Sequence, residues 1–140
     1  MIHQTAVIDP KAELHESVQV GAHAVVEANV RVGADSRIGP HAHLTGHTVV
    51  GTNNIIHTGA VIGDAPQDLK YEGEATRLRV GDHNVIREHV TLHRCNTLEE
   101  DTVIGSGNFF MAHSHVGHNA VIGNDNIFAN GALIGGHAVI

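Results

Sequence analysis

The segment FFMAHSHVGHNAVIG, residues 109–123, places His113, His115 and His118 within six residues. Imidazole titrates near neutral pH, so a histidine in such a cluster could act as a general base or as a metal ligand. The chain contains 14 histidines, however, and many of them fall at predicted turns. Histidine content alone therefore does not identify a site, and the elements that carry these side chains must be established first.

A six-residue rhythm of apolar side chains runs through the chain. Apolar residues occupy 22 of the 24 positions of the form 2 + 6k, although only 41% of the chain is hydrophobic. The two exceptions, Asp68 and Glu74, are neighbours in the series. Glycine often follows the apolar residue, and a small side chain often stands four residues after it. The apolar positions are Ile2, Ile8, Leu14, Val20, Val26, Val32, Ile38, Leu44, Val50, Ile56, Ile62, Val80, Ile86, Leu92, Leu98, Ile104, Phe110, Val116, Ile122, Phe128, Ile134 and Ile140.

This hexapeptide pattern predicts a parallel β-helix, because a period of six does not match the 3.6 residues of a helical turn. Each hexad supplies a short strand and a turn, and three hexads form a triangular coil of about 18 residues. Stacked coils pair their strands about 4.8 Å apart. A single coil cannot offset its own ordering entropy, so the coils must stack. We predict one domain of about seven coils over residues 1–140.

The rhythm is interrupted between Gly63 and Val80 by the segment DAPQDLKYEGEATRLR. Pro66, Gly73 and several charged residues suit solvent better than a core. We therefore predict a single loop, residues 64–79, that projects from the β-helix. Ile62 and Val80 are three hexads apart, so the phase of the repeat is preserved across the interruption.

Composition excludes several classes of partner. The formal net charge is −7, and no lysine or arginine cluster is present, which argues against nucleic acid or an anionic membrane as the main partner. No apolar run is long enough to span a membrane, and the first residues do not form a signal peptide. The one cysteine, Cys95, suits a reducing compartment, so we expect a cytoplasmic protein.

The segment QDLKYEGEATRLRVGDHNVIREHVTLHR, residues 67–94, resembles the signature of one enzyme family. That family is the acyl-[acyl-carrier-protein]–UDP-N-acetylglucosamine O-acyltransferases, which open lipid A biosynthesis. AHSHVGHN and GGHAVI resemble further segments of the same family. The resemblance implies a left-handed parallel β-helix and a homotrimer with active sites between subunits. It also implies transfer of an (R)-3-hydroxyacyl chain from acyl carrier protein to the 3-hydroxyl of UDP-N-acetylglucosamine, without a metal, a cofactor or a covalent intermediate.

The same resemblance assigns roles to individual residues. His118 would be the general base, and the backbone N–H of Gly136 would stabilise the oxyanion. His137 follows His118 by about one coil and should lie close to it. The residues expected to bind substrate are Gln67, Asp68, Lys70, His115 and His137.

The chain departs from the family pattern in two respects. The family has aspartate after the catalytic histidine, whereas this chain has Asn119, whose amide can orient the ring but adds no charge. Another carboxylate could substitute for that charge. Family enzymes also continue through further coils and a C-terminal helical domain, so we expect these to be absent from a chain that ends in mid-repeat at Ile140.

Three alternatives remain open. γ-Class carbonic anhydrases share the repeat and bind zinc through three histidines at a subunit interface, and His113 and His118 have the H-x4-H spacing of two such ligands, with His93 available as the third. A related sugar or amino-sugar acyltransferase that uses acetyl-CoA or acyl carrier protein is the second alternative. A non-catalytic β-helix fragment is the third.

Overall fold

The computed structural model describes all 140 residues as one left-handed parallel β-helix, which confirms the predicted fold class. It contains no α-helix, and so no helix that is long and apolar enough to cross a membrane. The 19 strands are β1 (Val7–Ile8), β2 (Glu13–Leu14), β3 (Gln19–Val20), β4 (Val25–Val26), β5 (Val30–Val32), β6 (Arg37–Ile38), β7 (His43–Leu44), β8 (His47–Val50), β9 (Ile55–Ile56), β10 (Val61–Asp64), β11 (Arg77–Val80), β12 (Val85–Ile86), β13 (Thr91–His93), β14 (Asp101–Ile104), β15 (Phe109–Phe110), β16 (His115–Val116), β17 (Val121–Ile122), β18 (Ile127–Phe128) and β19 (Leu133–Ile134).

The strands form three parallel sheets, and each strand pairs with the third strand before and after it. One sheet contains seven strands, in the order β1-β4-β7-β10-β13-β16-β19, and the other two contain six each. Isolated bridges from Ile2 to Val20 and from Val121 to Val139 add a seventh strand position to each of these two sheets. The prism therefore has seven coils.

The core is the column of aliphatic side chains that the six-residue rhythm predicts. Leu44, Ile62, Leu92 and Val116 lie in register on neighbouring strands of the seven-stranded sheet and are fully buried. Burying each such side chain stabilises the fold by roughly 1.5–3 kcal/mol. A ladder of polar side chains satisfies the turn amides at one corner, because each backbone N–H of the ladder donates to a side-chain oxygen one coil below. The ladder consists of Ser36, Asn54, Asn84, Asn108 and Asn126.

The chain leaves the prism at two places. Val32 pairs with Val50 across a regular coil of three hexads, whereas the pairs Val50–Val80 and Val80–Ile104 enclose five hexads and four hexads. The first excursion, here the long loop (residues 65–76), is shorter than the predicted loop 64–79, because Asp64 lies in β10 and residues 77–79 lie in β11. The second excursion, the short loop (residues 94–100), is additional to the one loop that was predicted.

Both excursions preserve the sequence phase, because they lengthen the regular coil by two whole hexads and by one whole hexad. As a result the predicted inward position of Leu98 is wrong, since this side chain lies on the short loop and is 51% exposed. Ile2 and Ile140, at the two ends of the β-helix, are also about half exposed because each lies in a terminal coil.

Tight turns explain much of the histidine content. Ten non-glycine residues have positive φ angles of 55° to 65°, and six of them are histidines. Asn, Asp and His are the side chains most often found in this left-handed region. Asn119 is another of the ten, with φ of 62°. Many of the histidines therefore serve turn geometry.

Candidate active site

A groove of about 540 Å³ opens beside the seven-stranded sheet. The long loop covers one side, strands β13 and β16 form the floor, and the turns after β16 and β19 complete it. Four of the predicted site residues line this groove, together with the other two histidines of the zinc alternative. The lining residues are Gln67, Thr91, His93, His113, His115, Gly117, His118, Leu133, Ile134, Gly135 and Gly136.

His118 lies in the turn after β16, where its side chain is half-buried. Its Nδ1 lies 2.9 Å from Oδ1 of Asn119, the residue that follows it. The neighbouring His137 ring packs edge to face against this ring, with 5.3 Å between centroids. The imidazole is therefore held by one polar and one aromatic neighbour.

The neighbours of Asn119 determine which way its amide points. The backbone N–H of Asn96 donates to Oδ1 over 3.0 Å, and Nδ2 donates to the carboxylate of Glu100 over 2.6 Å. Its own backbone N–H donates to Oγ1 of Thr102 over 2.8 Å. Because Oδ1 is an acceptor here, Nδ1 of His118 must carry the proton. Nε2 is then unprotonated and available as a base.

Gly136 leaves room for that imidazole. A Cβ atom at this position would lie 2.9 Å from Cε1 and 3.0 Å from Nε2 of His118, well inside van der Waals contact. The amide of Gly136 donates no hydrogen bond within the chain, so it remains free for a ligand. The structure thus places a residue with a free backbone N–H close to the basic nitrogen.

Two further histidines form the floor of the groove. His93 and His115 meet edge to face, with centroids 4.7 Å apart. His115 shares a 2.6 Å hydrogen bond with Oγ1 of Thr91, whereas the buried Nδ1 of His93 has no partner. Burial lowers the pKa of His93 to about 4, and it also lowers the pKa of His115. Both rings favour the neutral form, which can donate and accept hydrogen bonds.

The long loop brings Asp68 towards the same region. Its carboxylate accepts the backbone N–H of Lys70 over 3.0 Å and the side-chain amide of Asn96 over 2.8 Å. These two bonds, followed by the charges of Lys70 and His118, hold the pKa of Asp68 below its usual value. The side chain of Lys70 is exposed and makes no hydrogen bond or ion pair within the chain.

The three histidines of the zinc alternative do not converge within the chain. His113 is exposed and stacks on His89, with centroids 5.2 Å apart, while His93 faces His115. No group of three or more His, Cys, Asp or Glu side chains has a metal-binding arrangement. The H-x4-H spacing of His113 and His118 reflects two different positions of the repeat.

Four residues of the site did not emerge from the sequence as candidates: Thr91, Asn96, Glu100 and Thr102. Thr91 and Thr102 lie in regular strands, where a threonine of the site has the same sequence pattern as any other strand residue. Asn96 and Glu100 lie on the short loop, whose path the repeat does not predict. The one available signal was Asn119, whose missing charge suggested that another carboxylate could be nearby.

Comparison with known proteins gives consistent relatives. The family model for bacterial transferase hexapeptide repeats (six repeats) matches residues 29–64 and 101–136. The acyl-[acyl-carrier-protein]–UDP-N-acetylglucosamine O-acyltransferases of Thermodesulfovibrio yellowstonii and Herminiimonas arsenicoxydans are 42% and 47% identical over 99% and 98% of the chain. LpxA of Acinetobacter baumannii has 41% identity and superposes over 99% of the chain with a TM-score of 0.96.

The chain spans about half the length of the curated relatives it matches, covering 54% and 53% of the two enzymes named above and 54% of the solved structure. The first matched stretch ends where the long loop begins, and the second begins directly after the short loop. The relatives share the fold and also extend through the residues of the groove, since each aligns with nearly the whole chain. The chain therefore belongs to the bacterial hexapeptide-repeat transferase family, and it is a homologue of the acyl-[acyl-carrier-protein]–UDP-N-acetylglucosamine O-acyltransferases.

Proposed function

We propose that the protein transfers an (R)-3-hydroxyacyl chain from acyl carrier protein to the 3-hydroxyl of UDP-N-acetylglucosamine, the first step of lipid A biosynthesis. The relatives named above carry this donor and acceptor in their names. The observation that carries the proposal is the arrangement of His118, whose proton is held on Nδ1 by Asn119 while Nε2 lies close to Gly136, a residue with a free backbone N–H. A base next to an oxyanion donor is what acyl transfer to an alcohol requires.

In the proposed reaction, Nε2 of His118 removes the proton of the sugar hydroxyl as its oxygen attacks the thioester carbonyl. A C–O bond forms, and the N–H of Gly136 donates to the oxygen that gains negative charge. The tetrahedral intermediate then breaks its C–S bond, and the imidazolium returns the proton to the departing sulfur. Asn119 keeps the ring in one orientation through both steps, because Nδ1 carries its proton throughout.

The proposed substrate-binding residues suit the same geometry. Gln67 lines the groove, and Asp68 and Lys70 follow it on the long loop. The ionised Asp68 can accept hydroxyl or amide protons of a sugar, while the unpaired ammonium of Lys70 suits the diphosphate of a nucleotide sugar. His137 packs against His118 and His115 lines the same groove, so both would contact the acceptor.

We further propose that the protein works in the cytoplasm as a homotrimer, with the groove closed by a neighbouring subunit. The groove is open on one side in the single chain. Large apolar side chains are exposed on the outer faces of the same coils in the single chain. Such a group of exposed apolar side chains is unusual for a monomer, and a neighbouring subunit would cover it. These side chains are Val121, Ile127, Leu133 and Val139. Analytical ultracentrifugation tests the assembly, because a monomeric species at micromolar concentration would contradict it.

The function is tested by incubating the protein with 3-hydroxyacyl carrier protein and UDP-N-acetylglucosamine. We expect an O-acylated sugar nucleotide, and a preference for carrier protein over acyl-CoA in competition. Preference for acetyl-CoA would instead favour the related sugar acyltransferases. Zinc bound at about one ion per chain after dialysis, with carbon dioxide hydration, would favour the metalloenzyme. Absence of both substrate binding and turnover would leave a scaffold.

A further inference from the structure

The amide of Asn119 connects His118 to a carboxylate. Asn119 Oδ1 accepts the proton of His118 Nδ1, and Asn119 Nδ2 donates to Glu100 over 2.6 Å. Asn119 is only 4% exposed, and its backbone is fixed by Thr102. These partners fix the orientation of the amide, and the Glu100 carboxylate lies one hydrogen bond beyond the ring's own partner.

We propose that Glu100 is a positioning residue, which acts through Asn119 to orient His118 and to stabilise its protonated form; this rests on the proposed function of His118 as base. A carboxylate that accepts from an amide N–H draws electron density toward the amide oxygen, because nitrogen and oxygen share one conjugated system. That oxygen then becomes a stronger acceptor for the imidazole N–H. Through Asn119, Glu100 thus supplies the charge that an aspartate at position 119 would supply directly.

The short loop is built to hold Glu100 in this place. The backbone oxygen of Glu100 accepts from the buried thiol of Cys95 over 2.7 Å and from the guanidinium of Arg77 over 3.4 Å. Arg77 is itself held by Asp101 over 2.5 Å. Asn96, on the same loop, donates to Asn119 through its backbone and to Asp68 through its side chain. The loop therefore links the long loop, the amide and the carboxylate.

The same geometry explains why position 119 is an asparagine. An aspartate there would place a second carboxylate 2.6 Å from Glu100, where like charges repel strongly. The turn itself accepts either residue, since both tolerate the left-handed conformation of Asn119. Asn119 and Glu100 are therefore a matched pair. Changing Asn119 alone to aspartate should not raise the rate, and the rate should rise only when Glu100 is neutralised as well.

Other charged groups also face His118, so the test must isolate Glu100. His137 packs against the ring, and His93, His115 and Asp68 lie close enough for their charges to interact with that of His118. Glu99 and Asp101 flank Glu100 in the chain. Glu100→Gln keeps a hydrogen-bond acceptor for Asn119 and removes only the charge. Glu99→Gln, at an exposed residue with no hydrogen-bond partner, removes the same charge from the same loop without touching Asn119.

The test is a histidine NMR titration of His118 in these two variants, in Asn119→Asp and in Asn119→Asp/Glu100→Gln, beside acyl-transfer kinetics. We expect Glu100→Gln to shift the protonation midpoint of His118 down by about half a pH unit, a modest shift because Glu100 is exposed. We also expect kcat to fall about three- to tenfold, with the Michaelis constant for the sugar nucleotide unchanged. Glu99→Gln should match the unmodified protein. The double variant should transfer acyl groups at least as fast as the unmodified protein, and Asn119→Asp alone more slowly than the double variant.

Two results would overturn the proposal: identical His118 titrations in Glu100→Gln and Glu99→Gln, or a single Asn119→Asp variant as active as the double variant. The titration needs no turnover. If the unmodified protein fails to transfer acyl groups while the Glu100-dependent shift is present, the proposed function is wrong, but the positioning role of Glu100 is supported. If transfer is normal and Glu100→Gln changes neither readout, only the positioning role of Glu100 is wrong.

Discussion

Replacing Gly136 with alanine should disable His118 without unfolding the protein. The new methyl group would lie 2.9 Å from Cε1 and 3.0 Å from Nε2 of His118, whereas carbon atoms pack at about 3.5 Å or more. The backbone oxygen of His118 would lie 3.1 Å away as well, so the methyl group would also be close to the backbone. The imidazole must therefore shift by about 0.5 Å to restore an ordinary van der Waals separation.

The size of the effect follows from that displacement. A misplacement of about 1 Å at a catalytic group can cost about 100-fold in rate, so a shift of half that size should cost about tenfold. The amide of Gly136 is the proposed oxyanion donor and would be disturbed by the same contact, which brings the expected loss in kcat/KM to about 10- to 100-fold. The unfolding free energy should change by less than about 1 kcal/mol, because Gly136 is exposed and has no left-handed φ.

Gly135→Ala is the matched control. A Cβ atom at Gly135 meets nothing within 4 Å, although the residue is adjacent in sequence and also exposed. Steady-state acyl transfer and urea unfolding are measured on both variants. Equal activity of Gly136→Ala and Gly135→Ala, or a loss of activity in Gly136→Ala that comes only from unfolding, would refute the predicted steric effect on His118.

Three further outcomes are expected. The pKa of His93 is lowered by burial from 6.5 to about 4, so the unfolded chain binds the proton more tightly than the folded chain does. The unfolding free energy should therefore be highest above pH 6.5 and should fall by about 3 kcal/mol as the pH drops towards 4. His93→Gln should flatten this pH dependence in urea titrations. Leu92→Ala, in the core, should cost about 2–5 kcal/mol of unfolding free energy, whereas Leu69→Ala, at a fully exposed position, should cost less than about 0.5 kcal/mol. Thr91→Val should remove the partner of His115 Nδ1 and lower kcat/KM about tenfold with unchanged stability; equal activity would show that this bond does not orient His115.

The periodic part of the molecule could be predicted from sequence because inward aliphatic side chains recur wherever a strand faces the core. Leu44, Ile62, Leu92 and Val116 follow from that rule alone, and all four are buried. The same rule failed at Leu98, because the short loop adds one whole hexad and so keeps the phase while leaving the prism. Periodicity reports the spacing of apolar residues. It cannot reveal a loop whose added length is a whole number of hexads, because such a loop leaves the spacing unchanged.

The candidate site also has one part that could be predicted from the sequence and one part that could not. The resemblance selected His118, Gly136 and His115, and the structure brings these three to one groove. The partners that set their chemistry could not be predicted, because Asn96 and Glu100 reach Asn119 only through the folded path of the short loop. Hydrogen bonds that join one coil to the next through a loop have no signature in the repeat.

His118 has the central role in the proposed reaction, as the base that removes the proton of the sugar hydroxyl. The measurement is acyl transfer from 3-hydroxyacyl carrier protein to UDP-N-acetylglucosamine by His118→Ala, compared with His41→Ala, which replaces an exposed turn histidine remote from the groove. We expect the His118 variant to lose about 100- to 10,000-fold in kcat while its unfolding midpoint stays close to that of the unmodified protein, and the His41 variant to keep its rate. Retained transfer by His118→Ala, together with a large loss of stability, would contradict the account and assign His118 to the structure of the turn.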